Sequence, residues 1–400
     1  MYDAKCKADL FADVFGRKGS SRDIALPCPL VPIVKMSEFC LVRTRWVFTV
    51  LAGLSDGACG PDLLPSRILH ECRSEIAYFI ARLIRCMLAN AYWPDVWRVH
   101  WLCPLYKRNA QSTAGNYRGV HLTSILSKVC ERVIARTLVK FLDSTDAYGS
   151  RQWAYRPRRS ARDFVTLLVC TWLLAFRLGR KVSLFLADIA GAFDRVDSRI
   201  LLIRLKEVGV SDTFCAFVKS YLAARRAIVI VQGNHSESYP IGNEVFQGTV
   251  LGPPLWNVFF SSVSVHVQEC GYLDAKFADD SSAFKSWSSS IPDEVLMDDM
   301  KCLQSRVHAW GVQNRVCFDA GKAHMLILHR TSPVGSSFKL LGVVIDPKLV
   351  MQDETSMGTE KGIAKNARYP CDAGFLWYSV THWPVQGACL VPFGVFDGCD

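Results

Sequence analysis

The chain has 400 residues, half of them hydrophobic and 21% charged, which argues against wholesale disorder and allows a sizeable core. Its formal net charge is +10, and the excess is concentrated: Asp95 to Lys181 holds 16 Lys/Arg against 5 Asp/Glu. A basic lobe of that kind suits a polyanionic partner better than a membrane surface.

The first 50 residues carry little periodic signal and receive no fold assignment. A turn-rich Gly57–Asp62 opens a helical pattern from about Ser66 to Ala91, with Ile68, Leu69, Cys72, Ile76, Phe79, Ile80 and Leu83 at helical spacing. A strand is expected over Val99 to Leu105, then a polar loop leading to Asn116-Tyr117-Arg118. Thr123 or Ser124 can cap a helix with Ile125, Val129, Val133, Ile134 and Leu138 on one face. The apolar run Phe164 to Leu178 is too short to span a bilayer and reads as a buried helix.

Ser183 to Ala187 reads as a strand running into Asp188, followed by helices over about 198–208 and 212–223. A hairpin flanks Gly233-Asn234, and Gln247-Gly248 leads into a helix from about Leu255 to Glu269. A second hairpin, Tyr272 to Phe284, places Asp279-Asp280 at its turn. A helix over about 292–311 and a strand from Phe338 to Ile345 complete an α+β pattern.

Sixteen scattered cysteines include no Cys-x-x-Cys pair, so no zinc module is legible. The N-terminus lacks the apolar core of a signal peptide. Reduced, mostly buried thiols in an intracellular protein are therefore expected.

The chemistry concentrates on acids at strand ends. Asp188 and the Asp279-Asp280 pair can converge although Asp188 and Asp279 lie 91 residues apart (279 − 188). Carboxylates at that density repel one another unless a cation lies between them. Oxygen-only ligands favour magnesium or manganese, which points to a metal site for phosphoryl chemistry. An Asp-Asp pair taken alone is more often a solvated turn. The order of the segments around it changes that balance.

From about Gly57 to Leu349 those segments resemble the reverse transcriptase domain of non-LTR (LINE-type) retrotransposons. The resemblance implies a right-hand polymerase. An N-terminal extension of unassigned fold over 1–56 precedes a fingers-like region with the basic lobe over 57–181. A palm-like catalytic region with an antiparallel sheet and packed helices follows over 182–349, then an incomplete or divergent thumb over 350–400.

The resemblance also implies RNA-directed DNA synthesis from dNTPs on a primer 3′-hydroxyl, with two magnesium ions or manganese in their place. Asp188, Asp279 and Asp280 would be catalytic and metal-binding, with Asp194 and Asp197 as competitors for the role. Phe193, five residues after Asp188, matches a steric gate against a 2′-hydroxyl. Phe246 to Asn257 looks like the motif supporting template and incoming base, with Gln247 and Gly248 at the nucleotide. Arg118 matches a triphosphate-binding arginine, and Lys107 is its companion. Arg156, Arg158 and Arg159 fall in a template-contacting loop, and Lys322 matches a general acid beside the leaving pyrophosphate.

The implied partners are an RNA template, a DNA primer or target and dNTPs, with no membrane. Synthesis at chromosomal DNA would need nuclear access, although no basic import run stands out. Phe246 stands where the family usually shows proline, and past about Met351 the resemblance fades. The alternative reading is a catalytically silent, nucleic-acid-binding remnant of such an element.

Overall fold

The computed structural model describes residues 3–16, 32, 34–38, 40–55, 57, 59–107, 110–149, 151–189, 191–242, 244–319 and 323–350. These belong to one compact unit spanning Met1–Met351. The chain opens with α1 (Ala4–Gly16), α2 (Thr44–Ala52), α3 (Ser66–Glu71) and α4 (Arg73–Ala89). Strands β1 (Val99–Tyr106) and β2 (Tyr117–Leu122) lead to α5 (Ile125–Ser144) and α6 (Ala161–Arg177). After β3 (Arg180–Ala187) come α7 (Ser198–Glu207), α8 (Asp212–Leu222), β4 (Arg226–Val231), β5 (Asn234–His235) and β6 (Tyr239–Pro240). Helices α9 (Gly252–Ser261) and α10 (Val263–Glu269) precede β7 (Leu273–Phe277), β8 (Asp280–Ser288) and α11 (Asp293–Asn314). Last come β9 (His324–Leu328), β10 (Phe338–Leu340) and β11 (Val343–Ile345).

Two sheets position the acids and the cations. One is antiparallel in the order β7-β8-β3-β9, with β3 at its interior. Val182, Leu184 and Leu186 of β3 join a core cluster with Phe164, Leu168 and Trp172 of α6. Phe185, Ala187 and Ile189 face the opposite, larger core with residues of α7, α9 and α11. A strand covered on both faces needs an unbroken apolar run rather than an alternating one, as in this segment. The second sheet has the order β2-β1-β4-β5, with β6 also on β4. Its β4 runs parallel to β1, so the chain returns to this sheet after building β3. Helix α1, in the segment without a sequence assignment, covers it by packing Ala8, Phe11 and Phe15 with Leu102 and Val229.

Several elements differ from the sequence expectations. The helix expected over Ser66 to Ala91 is broken at Cys72, whose ψ of 13° leaves the helical range. Of the expected stripe, Leu69 and Ile80 are buried and Ile76 packs against the core, whereas Ile68, Phe79 and Leu83 are exposed; Ala77, Ala81, Ile84, Met87 and Leu88 complete the buried face. Small alanines complete the true stripe, and counting only large apolar residues rotates the expected face partly away from it. Helix α5 buries all five expected residues, and the Ser124 hydroxyl accepts the Ser127 N–H at its start. Helix α6 is buried along one face only, with Leu167, Leu173, Leu174 and Leu178 exposed. The Leu255–Glu269 stretch is two helices that begin at Gly252.

Phe338 to Ile345 is a hairpin, not one strand, because Leu341 and Gly342 take φ of 48° and 93°. That is the pattern of a two-residue turn with both central residues left-handed. The described cysteines are free, yet only Cys130 and Cys215 are buried, so the expectation of mostly buried thiols fails. No described helix is long and apolar enough to cross a membrane. The expected thumb falls, apart from residue 350, outside the described residues.

Candidate active site

Strand register brings the acids together. β3 and β8 pair antiparallel as far as Ala187 opposite Ser281, and one further step along the same register sets Asp188 opposite Asp280. β7 and β8 close at Phe277 opposite Asp280, leaving Ala278 and Asp279 as the two loop residues. The Asp188 carbonyl accepts the Asp319 N–H at 2.9 Å, and Ile189 bridges to Phe318, so the strand end is fixed from the other side. The register therefore brings three acidic residues to one end of the sheet.

They open into a cleft of about 1010 Å³. Asp188, Asp279 and Asp280 form one wall, while Lys107 and Arg118 reach it from the ends of β1 and β2. Gln247 lines it from the loop before α9. The competitor Asp194 also lines it, and Lys339 and Leu341 close it from the third hairpin. The other competitor, Asp197, is 6% exposed, caps α7 and is ion-paired to Arg199 and Arg315, which leaves it a structural role. Carboxylates lining one cleft with an arginine and a lysine suit a ligand with clustered negative charge bound through cations.

Other expected site residues lie outside the lining of this cleft. Phe193 is buried outside the lining, with its ring 5.7 Å from that of Trp256, although its neighbour Ala192 lines the cleft. Gly248 holds the loop in place: its φ is 97°, and an added Cβ would stand 2.7 Å from the His121 carbonyl oxygen. Arg156 is 5% exposed, ion-paired to Asp143 at 2.7 Å and Asp146 at 3.4 Å, so its guanidinium braces the loop internally. Arg159 donates to the Gln152 carbonyl and lies over the Trp153 ring, whereas Arg158 is exposed. Lys322 lies outside the described residues.

The donor chemistry of the acidic wall fits a hard divalent ion, since it is all carboxylate oxygen. Among the described residues no group of three or more His, Cys, Asp or Glu side chains is arranged to hold a metal ion by itself. Magnesium is commonly held by one or two carboxylates with substrate phosphates and waters completing its shell, and this wall fits that mode.

Comparison with known proteins identifies the family. The family profile described as "Reverse transcriptase (RNA-dependent DNA polymerase)" matches residues 106–345, more than half of the chain. The chain belongs to the reverse transcriptase family. Curated relatives of this reverse transcriptase include the RNA-directed DNA polymerase from mobile element jockey of Drosophila melanogaster, 29% identical over 73% of this chain and 34% of the relative. Two others from the same organism are probable RNA-directed DNA polymerases from transposon BS and transposon X-element. They are 26% and 24% identical, over 67% and 73% of this chain and 30% and 34% of theirs. The chain thus spans about a third of the length of these relatives. It is a reverse transcriptase domain of the non-LTR, LINE type. Apo telomerase from Candida tropicalis is similar at 12% identity and a TM-score of 0.45, covering 72% of this chain and 60% of that one, too distant to add weight. The fold is the α+β right hand of a polymerase.

The loop that carries Gln247 is also braced by residues that carry no signal in the sequence. Glu131, 1% exposed on α5, accepts the N–H groups of Val250 at 2.7 Å and Leu251 at 3.1 Å and the Tyr221 hydroxyl at 3.2 Å. Burial pushes its carboxyl pKa up against those hydrogen bonds and the charge of Arg225. Arg225 is buried with it and contacts His100, which in turn contacts His121. The His121 N–H donates to the Gln247 carbonyl at 3.0 Å, and Phe246 packs against both imidazoles. An aromatic in the place of the usual proline thus has a matching pocket. Tyr155 is half-exposed at a φ of 58°. Burial raises its phenol pKa, and the neighbouring charge of Asp279 adds to that while Arg118 opposes it.

Proposed function

We propose that this domain adds deoxynucleotides to a DNA primer 3′-hydroxyl annealed to an RNA template. The observation that carries the reading is that Asp188, Asp279 and Asp280 line one cleft together with Lys107 and Arg118. Asp188, Asp279 and Asp280 would hold two magnesium ions, for which manganese offers the same oxygen-ligand chemistry. When bound, such ions make the primer hydroxyl a better nucleophile and offset charge on the departing pyrophosphate.

The remaining steps belong to the protein. The Arg118 guanidinium forms a fork for triphosphate oxygens, and Lys107 adds a second positive charge on the same wall. Gln247 meets the base or sugar without demanding one sequence. Phe193, buried behind Ala192 and against Trp256, would act as a gate against a 2′-hydroxyl only through the backbone it supports. Lys322 would protonate the leaving pyrophosphate. Arg158 and Arg159 would follow the template backbone, while Arg156 shapes the loop that carries them. Action at chromosomal DNA would place the protein in the nucleus.

Primer extension on a primed RNA template with dNTPs and magnesium tests the proposal. Template-dependent product from the wild type and none from Asp188→Asn is expected. Extension that survives loss of this acid would overturn the assignment of the cleft.

A further inference from the structure

The turn that carries Asp279 is held in a conformation its own residues do not favour. Ala278 has a φ of 58°, the left-handed region where a side chain is strained and glycine is the usual occupant. Two buried side chains grip its peptide groups from opposite sides. The Ala278 N–H donates to Gln152 Oε1 at 3.3 Å, and its carbonyl accepts the Trp256 Nε1–H at 3.1 Å. Gln152 is 1% exposed and Trp256 is fully buried.

The chain on either side braces both groups. Lys276 and residues 151–153 exchange backbone hydrogen bonds of 2.9 Å and 3.0 Å, which lays Gln152 along β7. Gln152 Oε1 also accepts the Ala154 N–H at 3.0 Å, and the Ala154 carbonyl accepts Asn257 Nδ2 at 2.9 Å from α9. The Gln152 Nε2 group is buried and finds no acceptor among the described residues. A residue kept only for packing gains nothing from such a donor, so the amide is present for its oxygen.

We propose that Gln152 is a positioning residue for the acidic turn, with Trp256 as its counterpart, and that together they aim Asp279 and Asp280 into the cleft. The proposal rests on the nucleotidyl-transfer reading of that cleft. It assigns no contact with substrate to Gln152. Its effect therefore falls on the chemical step rather than on nucleotide or template affinity. A misplacement of the reacting groups by about 1 Å can cost on the order of 100-fold in rate.

The test uses the full chain with Gln152→Leu, Ala278→Gly and both together. Gln152→Leu removes the accepting oxygen and keeps most of the volume. It should lower kcat for primer extension by about 10- to 100-fold, with the KM for dNTP and the Kd for primed template within threefold. Ala278→Gly removes the strain that the clamp opposes, so it should restore part of the lost kcat in the double variant. Hydrogen exchange of the segment spanning β7, the turn and β8 should accelerate in Gln152→Leu alone and slow again in the double variant.

The exchange readout does not depend on activity, so it tests the clamp even if the wild type extends no primer; that result would sink the nucleotidyl-transfer reading instead. Unchanged exchange at the turn would overturn the clamp. Faster exchange with wild-type kcat would overturn its role in positioning. A rise in KM equal to the fall in kcat, with no rescue by Ala278→Gly, would reduce Gln152 to a general structural residue.

Discussion

Glu131→Ala should damage both stability and nucleotide binding, through a loop that Glu131 never enters. One carboxylate oxygen accepts two backbone N–H groups, from Val250 and Leu251, and the Tyr221 hydroxyl. Each buried donor left unpaired costs about 1–3 kcal/mol, partly recovered if water enters the space vacated. The same substitution strips a compensating charge from buried Arg225, whose pKa burial has already lowered to about 10. The total comes to roughly 3–5 kcal/mol, a large part of the net stability of a typical fold.

Gln247 stands at the head of the same loop, so the KM for dNTP should rise together with the loss of stability. Glu131→Gln keeps an acceptor for the N–H groups and should lose about half as much. Denaturant unfolding and steady-state primer extension on the three proteins measure both effects. A Glu131→Ala protein within about 1 kcal/mol of wild type, with unchanged KM, would refute the reasoning.

Gly248→Ala should raise the KM for dNTP at least tenfold with little loss of template binding, because the new Cβ meets the His121 carbonyl at 2.7 Å and displaces Gln247. Titrating dNTP at saturating template checks it. His121 has its pKa lowered to about 3 by burial first and the Arg225 charge second. Between that value and the ordinary 6.5 the unfolded chain binds a proton that the folded chain refuses. Stability should therefore fall below about pH 6.5, with His121 contributing up to about 1.4 kcal/mol per pH unit beside the buried His100, and His121→Gln should lessen the slope measured in urea without abolishing it. Arg156→Ala should lower the melting temperature through loss of its ion pairs while leaving the salt dependence of template binding intact. Arg158→Ala should do the reverse, reducing the slope of log Kd against log salt by about 0.7–0.9.

The site was legible where its chemistry is local. A strand that runs into an acid, as at Ala187-Asp188, and a short hairpin with acids at its turn can be read from a few neighbouring residues. The buried face of α5 was legible because its large apolar residues repeat without interruption. Glu131 and Gln152 were not, because their partners lie 119 and 126 residues away, and nothing local marks a buried glutamate as a backbone acceptor. Arg156 shows the opposite failure: an arginine in a basic loop suggests nucleic acid, yet the acids that engage it lie 13 and 10 residues upstream. The β10–β11 turn was missed because Leu341 occupies a left-handed position where Asn or Gly would have signalled one.

The most direct measurement is magnesium-dependent extension of a DNA primer on an RNA template by the wild type and by Asp279→Asn, with primed-template affinity measured for both. The account predicts product from the wild type alone and equal affinity for the two proteins. Comparable extension by both proteins would contradict it, as would a wild type that binds primed template and adds no nucleotide.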